Sequence, residues 1–249
     1  MKLITKTSAS LLAILVLAPT IARAVSADQV ADYNTTGSIT FEAGEDIVTP
    51  PVDPENPTNP DPELPVNPEE PGTSGPLSID FASSWKFGKQ EIASSDRIYY
   101  AHPQVMTDGS IRQLYAQVTD TRGSFAGWTL SLTQAAQFED EDENVLEGAQ
   151  LSFEGTGSTS STSTTPASQL NSNFSLSPGA EQLLVSAQVN EGTGTNVYSF
   201  GTPADYDEEA KTDEAVATQG PVQLSVVGGS MHASAYRTNL VWTLSDTPT

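Results

Sequence analysis

Gly127-Trp128-Thr129-Leu130-Ser131-Leu132-Thr133 decides how this chain is read. Apolar and hydroxyl residues alternate through it, the signature of a half-buried β-strand. Trp128 and Leu130, two positions apart, share one face. A second run, Leu240-Val241-Trp242-Thr243-Leu244-Ser245, repeats the Trp-Thr-Leu core close to the last residue of the sequence. The same face chemistry therefore occurs twice, far apart in the chain. That implies one folded unit closed by its last strand.

Working outward, further period-two stretches are Leu77–Phe81, Leu114–Thr119, Gln150–Phe153, Gln182–Ala187, Asn196–Phe200 and Val222–Val226. Turn formers such as Thr107-Asp-Gly109, Arg122-Gly123, Ser177-Pro-Gly179 and Val227-Gly-Gly229 separate them. No segment has a long 3.6-residue apolar period. The expected fold is all-β, a single β-sandwich or barrel-like domain over residues 77–249 with long surface loops. Gly155–Ser168, nearly all Gly, Ser and Thr, is expected to be a mobile loop, and the acidic Thr202–Gln219 another.

Residues 50–76 have a different composition. Ten of these 27 positions are Pro, with Asp53, Glu55, Asp61, Glu63, Glu69 and Glu70 between them and no basic residue. Such a stretch favours an extended, disordered spacer, because proline and self-repulsion both oppose compaction. Residues 25–49 form a polar arm carrying one strand-like patch, Gly37-Ser-Ile-Thr-Phe-Glu42. Residues 1–24 read as a signal peptide: Lys2 and Lys6 precede the apolar Leu11–Ala18, and small residues follow around positions 24 and 27. The apolar run is too short to span a bilayer comfortably. The sequence ends without a hydrophobic tail or a basic stop, so no C-terminal sorting signal is expected.

The formal charge is −22, from 32 acidic and ten basic residues. Removing 1–24 takes away Lys2, Lys6 and Arg23 but no acid, leaving seven basic residues and a charge of −25. A chain this acidic repels nucleic acid and anionic lipid at long range. Neither nucleic-acid binding nor membrane insertion is expected. The absence of Cys means that a secreted domain must be stabilised by its own core.

Several stretches in order carry a resemblance. They are Leu77-Ser-Ile-Asp-Phe81, Tyr99-Tyr100-Ala101, Gln117-Val-Thr-Asp120-Thr-Arg-Gly123, Gly127-Trp-Thr-Leu-Ser131, Gly148-Ala-Gln-Leu-Ser-Phe153 and the closing Leu240–Pro248. Together the chain resembles the WxL surface-domain family of low-GC Gram-positive bacteria. The resemblance implies a secreted protein held non-covalently on the outer face of the cell wall. It would bind peptidoglycan through its C-terminal β domain, with other wall-associated surface proteins as further partners. An alternative is a structural or adhesive subunit that reaches the wall indirectly, through another surface protein.

Trp128, Leu130, Trp242 and Leu244 are the motif residues. They serve either core packing or, for the indoles, stacking against a sugar. Arg122 and Arg237 are candidate donors to a wall carboxylate, although Asp120 and Arg122 also suit a local pair fixing the turn before Trp128. Tyr99 and Tyr100 face opposite sides of a strand, and the outward one is a candidate sugar contact. The acidic run Glu139–Glu143 lacks a glycine at the sharp turn of a Ca²⁺ loop and reads as solvated. His102 and His232 have no metal-ligand spacing, and no nucleophile elbow is present. No metal, cofactor or catalytic activity is expected.

Overall fold

The computed structural model describes residues 33–44, 48–58, 63–66 and 71–248, so the expected signal peptide lies outside the described residues. The chain divides into two units, one ending at Thr40 and one running from Phe41 to Thr249. The described part of the first, residues 33–40, forms no regular structure, with Tyr33 and Ile39 exposed.

The second unit is all-β. Its strands are β1 (Leu77–Ala82), β2 (Arg97–Tyr100), β3 (Gln104–Val105), β4 (Ile111–Arg112), β5 (Leu114–Asp120), β6 (Trp128–Gln134) and β7 (Gln150–Phe153). There follow β8 (Gly157–Ser161), β9 (Gln169–Leu170), β10 (Phe174–Ser175), β11 (Glu181–Ala187), β12 (Gly194–Phe200), β13 (Val222–Val226) and β14 (Leu240–Ser245). They form three four-stranded sheets, β1-β5-β12-β8, β10-β7-β13-β2 and β14-β6-β11-β9, plus the hairpin β3-β4. Every pairing is antiparallel. All eight strands expected from alternation are present.

One core joins the three sheets, and Phe200 of β12 lies at its centre. Its ring meets Trp85, Phe153 and Tyr198 edge-on at centroid distances of 5.3, 5.1 and 5.0 Å. Trp242 of β14 follows at 6.2 Å. Edge-to-face contacts of this kind add to simple area burial. Phe200 thereby ties its own sheet to β7 in the second and β14 in the third.

Alternation mis-assigns one residue. Leu77, Ile79 and Phe81 should share a face, yet the register of β1 against β5 shifts between Ile79 and Phe81. A bulge of this kind places an extra residue and turns the following side chain. Ile79 packs on the main core, whereas Phe81 joins Val52, Tyr115 and Val197 in a second small cluster. β5 is consequently buried along both faces.

That second cluster exists because the described part of the Pro-rich stretch is docked rather than free, with turns at residues 54–55 and 57–58. Val52 is buried at 6% exposure, and Pro54, Pro57 and Pro65 are buried as well. The Gln117 side chain reads the strap's backbone: Val52 N–H donates to Oε1 at 2.8 Å, and Nε2 donates to the Pro50 carbonyl at 3.1 Å. Ser160 Oγ donates to the Pro54 carbonyl at 2.6 Å. Further on, Val66 N–H donates to the Val105 carbonyl, Thr107 N–H to the Leu64 carbonyl and Thr73 N–H to the Ile79 carbonyl. Proline suits such a strap, because its φ is already fixed and little chain entropy is lost on docking.

Under the strap, Asp80 accepts from Thr119 Oγ1 at 2.6 Å, Gln117 Nε2 at 2.9 Å and Ser78 Oγ at 2.7 Å. Burial raises the Asp80 carboxyl above its ordinary value, against the lowering effect of those three bonds.

Two expected loops also differ. Gly157–Ser161 pairs along β12 as an edge strand, held by backbone bonds that need no apolar side chains. Thr202–Gln219 is irregular apart from a 3₁₀ turn at Pro203–Asp205, but Tyr206, Ala210 and Ala217 anchor it in the interior. Tyr206 Oη donates to the Phe200 carbonyl at 2.8 Å.

Three outcomes follow from this architecture. Phe200→Ala will lower stability by about 3–5 kcal/mol in denaturant unfolding, as expected for a large buried aromatic. Gln117→Leu will leave the core folded by circular dichroism but make residues 48–58 sensitive to limited proteolysis. A raised native pKa gives a contribution present below the ordinary carboxylate value and lost as pH rises through the native one. The stability difference between wild type and Asp80→Asn, measured by urea unfolding, will therefore shift against wild type from pH 3 to pH 7.

Candidate functional site

The two Trp-Thr-Leu strands are neighbours. β14 pairs with β6 antiparallel, with Trp242 opposite Leu132, Thr243 opposite Ser131 and Leu244 opposite Leu130. Each Trp-Thr-Leu therefore lies against the other copy's strand, and both apolar faces point into one core.

Trp128 is 2% exposed and Leu130 1%. The Trp128 indole N–H donates to the Gly192 carbonyl at 2.9 Å, which also accepts from Asn196 Nδ2 at 2.7 Å. Gly192 has φ +68°, and a Cβ there would lie 2.6 Å from Trp128 Nε1 and 2.6 Å from the Ala187 Cβ. Gly127, at φ +80°, passes so close to the Ala187 carbonyl that a Cβ would collide with it. Trp128 thus sits in a tailored interior slot and cannot stack on a sugar. Trp242 and Leu244 lie on the end strand; both are half-buried and pack on the same core.

Arg122, a candidate donor to a wall carboxylate, is committed inside the protein. Nη2 and Nε donate to the two Asp120 carboxylate oxygens at 2.7 and 3.0 Å, and Nη2 also donates to the Gly127 carbonyl at 2.7 Å. The hydrogen-bonded Asp120 carboxylate raises the Arg122 pKa above its ordinary value. The pair closes the turn that delivers Gly127-Trp128 to β6, which makes Arg122 a positioning residue. Arg237 is exposed, and its backbone bridges to Glu139 beside the acidic run.

Tyr99 and Tyr100 fall on β2, in a different sheet from the two Trp strands. Tyr99 packs on the main core and Tyr100 is half-buried on the other face. In the acidic run, Asp140 Oδ1 accepts the backbone N–H groups of Asp142 and Asn144 at 3.0 and 2.8 Å. These bonds hold the Asp140 carboxyl below its usual value, the Asn144 side chain contributing most.

The outer face of the Trp-strand sheet is built from the residues between the motif positions. Across it, Thr243, Ser131 and Leu183 lie in one row, and Ser245, Thr129 and Ser186 in the next. A shallow hollow on this face is lined by Thr129, Ser131, Glu181, Leu183, Ser245 and Thr247. Ser131 Oγ donates to the Glu181 carboxylate. A second bulge, between Leu183 and Val185, turns both Leu184 and Val185 inward and leaves Leu183 to the hollow. Attention to Trp and Leu passed over these hydroxyls, although the same period-two alternation places them together.

The hollow is shallow and polar, and Thr129 and Ser131 lie buried at its floor, at 6% and 4% exposure. Residues 28–248 match the family described as WxL domain surface cell wall-binding, and the chain belongs to that family. The family is one of wall-binding surface domains rather than of enzymes, which places the protein in association with the cell wall outside the cell. No curated protein and no solved structure matches the chain. Among the described residues, no helix is long and apolar enough to cross a membrane.

Gly192→Ala will cost about 2–5 kcal/mol, from left-handed strain plus overpacking against the indole. Trp128→Phe, which removes only the N–H and part of the ring, will cost less; paired denaturant titrations rank the two.

Proposed function

We propose that the domain binds peptidoglycan directly and non-covalently, through the hydroxyl-lined outer face of β14, β6 and β11. On this reading the protein is secreted by the signal peptide at 1–24, and Trp128, Leu130, Trp242 and Leu244 act by holding that face in place. The observation that carries the reading is the accessible Thr243 and Ser245 of the end strand beside a shallow hollow floored by Thr129 and Ser131, above a core made by the motif itself. Hydroxyl and carboxylate groups match the hydroxyl and amide groups of a glycan strand, the usual partners of polar recognition. The contact is short-range, because the net charge of −25 left after removal of 1–24 repels anionic wall polymers at distance.

Protein-free sacculi incubated with the full chain and sedimented provide the test. Wild type will co-sediment, and more strongly as salt rises from low to physiological and screens the repulsion. Thr243→Glu with Ser245→Glu, two changes at accessible positions of the end strand, will lower binding at least tenfold while the melting curve stays two-state. Wild-type protein that stays in the supernatant, or a double variant that binds equally well, overturns direct binding by this face. Capture only after a second surface protein is added supports the indirect reading instead.

A further inference from the structure

The described N-terminal residues hold an extended six-residue segment that lacks a partner suited to its side chains. Gly37-Ser-Ile-Thr-Phe-Glu42 alternates as a strand does. Yet it forms no regular structure, and Ile39 and Phe41 are 77% and 85% exposed. Two large apolar side chains on one face of an unpaired strand are costly to leave in water.

A matching vacancy lies at the other end of the sequence. β14 is the end strand of its sheet; among the described strands it is hydrogen-bonded to β6 alone, and β1 approaches it only locally. It is also six residues long. Its inward residues Leu240, Trp242 and Leu244 are only half-buried, whereas Leu130 and Leu132 on the neighbouring β6 are fully buried. An open edge of this kind is a template for strand addition.

We propose that Gly37–Glu42 of one copy adds as a strand to the free edge of β14 in a second copy. Parity fits in either direction. With Thr40 opposite Thr243, an antiparallel strand sets Ile39 beside Leu244 and Phe41 beside Trp242; a parallel one exchanges those partners. In both, the apolar pair covers the exposed part of Trp242 and Leu244, and Ser38 and Thr40 extend the hydroxyl face outward. Donor and acceptor are different surfaces, so the contact is heterologous and propagates into linear chains unless it closes into a ring. The inference does not depend on what the hydroxyl face binds. Each copy carries a net charge of −22, so assembly strengthens with salt.

The chain contains no cysteine, which makes the test clean. Thr40→Cys with Thr243→Cys, both exposed positions, is oxidised in the full chain at tens of micromolar and run without reductant. A ladder of dimers, trimers and longer species is expected, increasing with salt. Adding Ile39→Asp and Phe41→Asp will reduce it at least tenfold, and either single-Cys variant will stop at the dimer. A purely intramolecular disulfide, or no disulfide at all, overturns the proposal. So does a ladder that the two Asp substitutions leave intact. Loss of sacculus binding with the ladder intact bears on the wall-contact reading alone.

Discussion

The packing around Phe200 is the constraint on which the rest of the structure depends. Three sheets share one interior, and a single ring on β12 meets Trp85, Phe153, Tyr198 and Trp242 edge-on within it. The last strand is held partly through that contact and partly through its pairing with β6. The family motif is therefore chiefly an architectural statement. Its Trp and Leu residues fill one core from two adjacent strands; of the residues between them, Thr243 is exposed, whereas Thr129 and Ser131 are buried on the opposite side of the sheet.

This division explains how a motif can mark a wall-binding family while two of its most prominent side chains, Trp128 and Leu130, are buried. Trp128 is locked by its hydrogen bond to Gly192 and by the close approach of Gly127 and Gly192. Asp120 and Arg122 close the turn that aims it. On the other side of the sheet lie short polar side chains, Thr129, Ser131 and Ser245, held in rows by the ladder beneath them.

Much of this was legible in the sequence, for definite physical reasons. Strands with one face in the core reveal themselves by alternation, and all eight read that way are present. β8 was hidden because Gly157–Ser161 carries no apolar residue; it is placed by the backbone of β12 rather than by burial. Phe81 was assigned to the wrong face because a bulge breaks the period it was read from. The strap was read as a free spacer because its composition is that of disorder, and one Val among prolines gives no local sign of a receptor. That receptor is Gln117, Phe81, Tyr115 and Val197, and the sheet brings these together only after folding. The adjacency of the two Trp strands was likewise beyond any local signal, since pairing across so many residues is decided by topology. The outward hydroxyls, by contrast, were available from the same alternation that revealed the indoles.

The docked strap has a mechanical side. Tension applied upstream of Val48 arrives first at Val52 and Gln117, next at the Leu64–Val66 contacts, and last at Thr73 and Ile79. These attachments are loaded one at a time, as in peeling tape, instead of together, as in shearing a sheet. Releasing these contacts would lengthen the link by the difference between the chain's full extension and the span it already covers, before any core strand is pulled. A cell surface under flow would thus carry a reversible shock absorber between the tip of the arm and the wall.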